Sequence, residues 1–264
     1  MQQSIEASGG TRWVSIKWHL CSSPAMAASY DLTSASLHVF RVSLAQPVRL
    51  IERLAAHLDA EEMQRASRFR FEVDRCRFVA SRGMLREVLG SLLGVHPRML
   101  RLAGSAFEKP RLLEPAMLEF NITHSADDWL LAVSAGRPVG VDFESFRTCF
   151  DEGALAMSIL SPAERQAAAG MHEERRRKFL QRCWVVKEAS LKATGVGLSV
   201  PLGSFDAALL PAFGRMIAPS LPGGGASAWQ VLELPANEGS QAAVVIRDAT
   251  PVRLRLWTLE VTGP

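Results

Sequence analysis

Apolar positions along the chain change their spacing several times, and each change predicts an element. In SLHVFRVSL, residues 36–44, Leu37, Val39 and Val42 predict a first strand. Leu50, Ile51, Leu54 and Leu58 then fall at helical spacing, and a helical region continues from Ala60 to about Leu93, with Phe69, Phe78, Leu85, Val88 and Leu89 as core contacts. After Gly94 come short, turn-separated segments. Strands are expected at 118–122, 129–135 and 138–144, the last two joined through Gly136-Arg137 as a hairpin. Ser161-Pro162-Ala163-Glu164 combines a capping box with proline at the first helical position and marks a helix start. A long helix follows from about Glu173 to Thr194, ended by Gly195 and Gly197 with Pro201 beyond. Strands near 229–234, 241–247 and 253–261 complete the pattern, punctuated by the glycine-rich loop Pro222 to Gly225. The order is α+β, with two helix-plus-strand halves, 36–137 and 138–264, meeting near Arg137. Residues 1–35, rich in Ser, Ala and Gly without clear periodicity, read as a mobile extension.

With 264 residues, 48% of them hydrophobic, the chain is long enough to bury a core in one or two domains. Its apolar windows all fall short of the ~18 residues of a membrane span. Trp13 to Leu20 is broken by Lys17 and His19, so Arg12 before it and Ala25-Met26-Ala27 after it do not make a secretion signal. Cys21, Cys76, Cys149 and Cys183 form no CxxC pair and read as thiols of a reducing cytoplasm. Net charge is only +3, yet Arg65, Arg68, Arg70, Arg75, Arg77, Arg82 and Arg86 crowd a stretch whose acids are Glu72 and Asp74. That stretch suits an anionic ligand or an acidic partner, and reads equally as a solvated helix face. Nucleic acid is disfavoured as a partner, since no recognition motif accompanies the charge.

Three segments carry chemistry. In Gly140-Val141-Asp142-Phe143-Glu144, a strand turns Val139, Val141 and Phe143 to the core and Gly140, Asp142 and Glu144 to the opposite face. Two carboxylates two residues apart repel unless a cation or donor lies between them, and few hard oxygen ligands favour Mg²⁺ completed by water and substrate phosphates. Acids on a wet strand face are also commonplace. Trp184, Glu188 and Lys192 recur every four residues along one face of the long helix, where Glu188 and Lys192 read either as site residues or as an exposed ion pair. Phe120-Asn121-Ile122-Thr123-His124-Ser125 runs from a strand into a polar turn. There Thr123, His124 and Ser125 could hydrogen-bond a phosphate, and a Ser/His nucleophile pair lacks the GxSxG elbow.

The order of these segments is more specific than any one of them. Glu108-Lys109-Pro110 precedes FNITHS, then come VGVDFE and the Trp184 to Lys192 block running into GVGLSVPLGSF, residues 195–205. In this the chain resembles the Sfp-type 4'-phosphopantetheinyl transferases, from about Ser36 to its end and most strongly over 107–205. The resemblance implies a pseudo-dimer of two similar α+β halves with coenzyme A and Mg²⁺ in the cleft between them, acting as a monomer. It implies metal-site carboxylates at Asp142, Glu144 and Glu188, and a lysine beside the transferred phosphate at Lys192. Lys109, Thr123 and His124 would be coenzyme A ligands, and a looser alignment gives Arg65 and Arg77 the phosphate-binding basic positions. The implied reaction moves phosphopantetheine onto a serine of an acyl or peptidyl carrier protein, with Glu188 as base. Acidic carriers would complement the basic helices. Glu108 replaces the glycine of the family's GKP triplet, Thr123 replaces a serine, and Glu62 stands where the prototype has a basic residue. A catalytically silent module binding coenzyme A or carrier, and a metal-dependent phosphohydrolase, are the rival readings.

Overall fold

The computed structural model describes residues 12–20, 32–33, 35–104, 109–113, 118–146, 152–206, 213–214, 229–248 and 250–262. Glu108, Cys21, Cys149 and the Pro222 to Gly225 loop lie outside them.

The chain opens with β1 (Val14–His19) and β2 (Ser36–Ser43), then α1 (Val48–Ala55), α2 (Ala60–Ala66) and α3 (Glu72–Leu93). A two-stranded ribbon, β3 (Leu102–Ala103) with β4 (Arg111–Leu112), leads to β5 (Leu118–Ser125), β6 (Asp128–Ala135) and β7 (Val139–Ser145). Next come α4 (Glu152–Ile159), α5 (Pro162–Ala169) and α6 (Glu173–Thr194). The last strands are β8 (Phe213–Gly214), β9 (Trp229–Glu233), β10 (Ser240–Arg247) and β11 (Arg253–Thr262). Two sheets result, one ordered β1-β11-β2-β6-β5 and the other β7-β10-β9-β8.

Alternation within the strands explains the layering. Phe40, Val42, Leu131 and Val133 face α1 and α3, whose Leu50, Leu54, Val79, Met84, Leu85 and Leu89 complete the first core. The alternate residues Leu37, Val39, Leu130 and Ala132 face the second sheet, where Val139, Val141, Phe143, Ala242, Val244 and Ile246 receive them. The far face of the second sheet, through Trp229, Val231, Ala243 and Val245, is covered by Val185, Val186, Ala189 and Ala193 of α6. The molecule is therefore layered helix, sheet, sheet, helix.

The structure departs from the sequence expectations at several places. Gly136-Arg137 does not close a hairpin: β6 pairs antiparallel with β2 and β5, whereas β7 pairs with β10. The link instead passes from one sheet to the other, with Gly136 at φ 63° and Arg137 donating to the Ser36 carbonyl (2.9 Å) and to Asp248. The helical region from Ala60 is interrupted at 67–71, because α2 folds back so that Glu62 meets Arg82 (2.6 Å) and Arg86 (2.7 Å). Phe69 lies exposed in this break rather than in the core. Residues 1–35 are not wholly an extension, since β1 runs parallel to β11 and Trp18 is fully buried against Phe40. For the same reason 138–264 is not one half by itself. Its final strand β11 lies between β1 and β2 in the first sheet.

Candidate active site

The two sheets meet at their edges, β5 of the first against β7 of the second. An edge strand presents unpaired backbone amides that need partners. Here side chains at every second residue of β5 supply them. Asn121 Oδ1 accepts from the Val141 amide (2.9 Å), and Ser125 Oγ accepts from the Ser145 amide (3.2 Å). The same β5 face reaches the carboxylates: Thr123 Oγ1 donates to Asp142 Oδ1 (3.0 Å) and Ser125 Oγ to Glu144 Oε2 (3.0 Å).

The third wall is α6. Its C-terminus is set by Gly195 at φ 74°, and its Trp184, Glu188 and Lys192 share one face. Gly140 allows the close approach, because a Cβ there would run into the Ala189 carbonyl and the Ala193 amide. Lys192 Nζ consequently reaches Asp142 Oδ1 at 2.6 Å and Thr123 Oγ1 at 3.2 Å. Asp142 is buried, and its Oδ2 has no hydrogen-bond partner among the described residues. Burial, and then the charge of Asp142, push the Glu144 carboxyl above the usual carboxylate range, opposed by hydrogen bonds from Ser125 and Trp184. Burial also pushes Glu188 up; Lys192 opposes this, and Asp142 and Glu144 add to it.

Asp142, Glu144, Glu188, Lys192 and Thr123 are thus brought together. His124 lies at the rim between Thr123 and Ser125, and partial burial, then the Lys192 and Arg77 charges, hold its pKa below the usual value. It is neutral near pH 7 for most of the time. Thr123, His124 and Ser125 are the last residues of β5 rather than a turn, so Thr123 and Ser125 share the face that meets the β7 carboxylates and His124 alternates away from it. Lys109 Nζ donates to the Val139 carbonyl (2.8 Å), and its pKa is lowered by burial, with Glu119 opposing. Arg77 engages Asp127 in the β5–β6 turn at 2.8 Å. Arg65 places its guanidinium 5.0 Å over the Phe78 ring of α3.

The arginine run is largely consumed within the fold. Arg75 pairs with Glu72, Arg82 with Glu62, and the fully buried Arg86 with Glu62, Asp59 and the Leu100 carbonyl. Asn121 joins these residues without any chemical motif of its own, and its i, i+2, i+4 spacing with Thr123 and Ser125 is the one signal for it in the sequence.

A lysine set into crowded carboxylates, at the seam of two sheets, suits the handling of a phosphate-bearing group. Residues 138–245 match the family profile described as the 4'-phosphopantetheinyl transferase superfamily, and residues 47–136 match 4'-phosphopantetheinyl transferase, N-terminal. The chain is 36% identical over 219 residues to the 4'-phosphopantetheinyl transferase HetI of Nostoc sp., covering 81% of this chain and 89% of that protein. It is 25% identical over 158 residues to the 4'-phosphopantetheinyl transferase Sfp of Bacillus subtilis, covering 60% of this chain and 69% of the relative. The L-aminoadipate-semialdehyde dehydrogenase-phosphopantetheinyl transferase of Pongo abelii is 28% identical over 167 residues, 58% of this chain and 53% of its own length. The chain belongs to the 4'-phosphopantetheinyl transferase family and is an enzyme of that class, with the mixed α+β architecture that goes with it. Among the described residues no helix is long and apolar enough to cross a membrane.

Proposed function

We propose that this transferase moves the 4'-phosphopantetheine arm of coenzyme A onto a serine of an acyl or peptidyl carrier protein within the cleft formed by β5, β7 and α6. The observation that supports the placement is the buried, unpartnered Oδ2 of Asp142, held beside Glu144, Glu188 and Lys192.

Among the described residues, no three acidic, histidine or cysteine side chains converge as a ready-made metal cage. The donor set of hard carboxylate oxygens nonetheless fits Mg²⁺, which takes a few such ligands and leaves its other positions to water and phosphate. Asp142, Glu144 and Glu188 are the residues that would hold it. When bound, the ion would neutralise the diphosphate.

The carrier serine oxygen attacks the phosphorus that bears pantetheine, and the bond to the departing adenosine 3',5'-bisphosphate breaks. Glu188 takes the serine proton as the general base. Lys192 offers its ammonium to charge growing on the phosphoryl oxygens. Thr123 holds Lys192 and Asp142 in register. Lys109, Thr123 and His124 are the proposed coenzyme A ligands, and Arg65 and Arg77 the proposed phosphate-binding basic residues. The reaction is assigned to the cytoplasm and to a single copy of the chain, in which β5, β7 and α6 all belong to one molecule. The test is the intact mass of an apo carrier incubated with the chain, coenzyme A and Mg²⁺, beside a sample with EDTA. One phosphopantetheine should be gained, and EDTA should abolish the gain. Folded protein that binds coenzyme A yet modifies no fatty-acid, polyketide or peptide carrier would make it a silent binding module.

A further inference from the structure

Lys187 immediately precedes Glu188 on α6, and its side chain is 0% exposed, as is that of Glu164 at the start of α5. Its Nζ donates to Glu164 Oε2 (2.5 Å), the Ile159 carbonyl (2.7 Å) and the Leu202 carbonyl (2.8 Å), which satisfies all three ammonium protons. The ammonium also lies 5.2 Å from the Phe205 ring. Glu164 Oε2 accepts from the Ser161 amide (2.9 Å), and Ser161 Oγ, which caps the Glu164 amide (3.1 Å), also bonds to Asp206. One ammonium therefore ties together the end of α4, the start of α5, the middle of α6 and the 202–206 segment.

A buried ion pair is a poor device for stability, because apolar residues of similar volume often serve as well or better. It is a good device for geometry. Successive helical residues are ~100° apart about the axis, so fixing Lys187 fixes the bearing of Glu188 and Lys192. Side-chain ends ride about 5–6 Å from the axis, and a rotation of about 10° would displace them by about 1 Å. On the β7 side α6 lies directly on the backbone of Gly140, and the Lys187 anchor on its opposite flank adds to the packing of Val185, Val186, Ala189 and Ala193 on the second sheet.

We propose that the Lys187–Glu164 pair is a positioning lock that sets the rotation of α6, so that Glu188 and Lys192 face Asp142 and Glu144. This rests on the reading that Glu188 and Lys192 act in the transfer.

The test replaces the pair together, Lys187→Met with Glu164→Leu, because Lys187→Met alone would leave Glu164 buried and unpaired. Rates are taken well below the unfolding temperature and normalised to coenzyme A-binding sites, so that a loss of folded protein does not register as a loss of turnover. The expected result is kcat lowered about 10- to 100-fold, the range a ~1 Å misplacement produces, with KM for coenzyme A within about twofold. Glu164→Gln keeps the volume and an acceptor for Lys187, and should lower kcat about three- to tenfold with the same unchanged KM. It decides the matter if the double variant fails to fold. Parental kcat in the folded variants overturns the lock while leaving Glu188 as base. If Glu188→Gln itself keeps parental turnover, the underlying reading and the lock fall together.

Discussion

Glu188 is the residue on which the proposed chemistry turns, and its surroundings make a sharp prediction. Burial raises its pKa first, the Asp142 and Glu144 charges raise it further, and Lys192 pulls it back. A base must be ionised to act. Activity should therefore rise with pH along an acidic limb as this carboxylate ionises. Glu188→Gln should remove that limb and lower kcat by about 10²- to 10⁴-fold, the usual contribution of general-base catalysis. Coenzyme A affinity, read by calorimetry on the same variant, should change by no more than a few-fold. Equal losses in turnover and binding would instead mark Glu188 as a binding group. The residue identities were legible in the sequence because the spacing of two and four puts Asp142 with Glu144, and Glu188 with Lys192, on single faces. What spacing could not show is that Lys192 Nζ bonds to Asp142 across two elements (2.6 Å), or that Lys187 is buried beside Glu188.

At the scale of elements, α6 was readable nearly to the residue, because Gly195 supplies a left-handed stop that local chemistry announces. The link at Gly136-Arg137 was not. Two alternating strands and a two-residue connection look the same locally whether they fold back on each other or pass between sheets. The choice falls to Val139, Val141 and Phe143, which find cover only between the two sheets. The break between α2 and α3 has the same origin, since neither glycine nor proline marks it and the demand comes from Glu62 reaching Arg82 and Arg86. The contact of β7 with α6 is the element-level feature most exposed to test. In Gly140→Ala the new methyl meets backbone atoms of Ala189 and Ala193, which cannot swing aside, so α6 must move bodily away from β7. Overpacking of this kind costs about 1–3 kcal/mol. Because the helix carries Glu188 and Lys192 with it, kcat should fall at least about tenfold even where the variant is fully folded. Thermal unfolding and initial rates on one preparation check both halves of the statement, and a destabilised variant with parental kcat would show that the helix had not moved.

Across the whole molecule the least legible feature is the meeting of the two ends of the chain. β11 lies parallel to both β1 and β2, pairing Trp18 with Val261 and Phe40 with Trp257. Parallel pairing at such separation leaves no turn signal, and β1 is a short strand in which only Trp18 is fully buried, Val14 and Ile16 on the same face being partly so. Yet Trp18 is completely buried, in edge-to-face contact with Phe40 at 6.5 Å between ring centres. Trp18→Ala should therefore destabilise the protein by about 3–5 kcal/mol, as buried tryptophan truncations do. For a domain of this size each kcal/mol lowers Tm by about 2–4 °C, which makes the expected fall on the order of 10 °C. Activity should respond quite differently. β1 and β5 are opposite edges of a five-stranded sheet, so four interstrand spacings of about 4.8 Å separate Trp18 from the strand that holds Thr123. A folded Trp18→Ala protein assayed at 25 °C should keep kcat within about twofold, because the loss is in global stability and the cleft lies at the far edge. An unchanged Tm would mean that the first strand contributes nothing to the sheet, and a lost kcat in a protein still folded would mean that the two edges are coupled through β11 and β2.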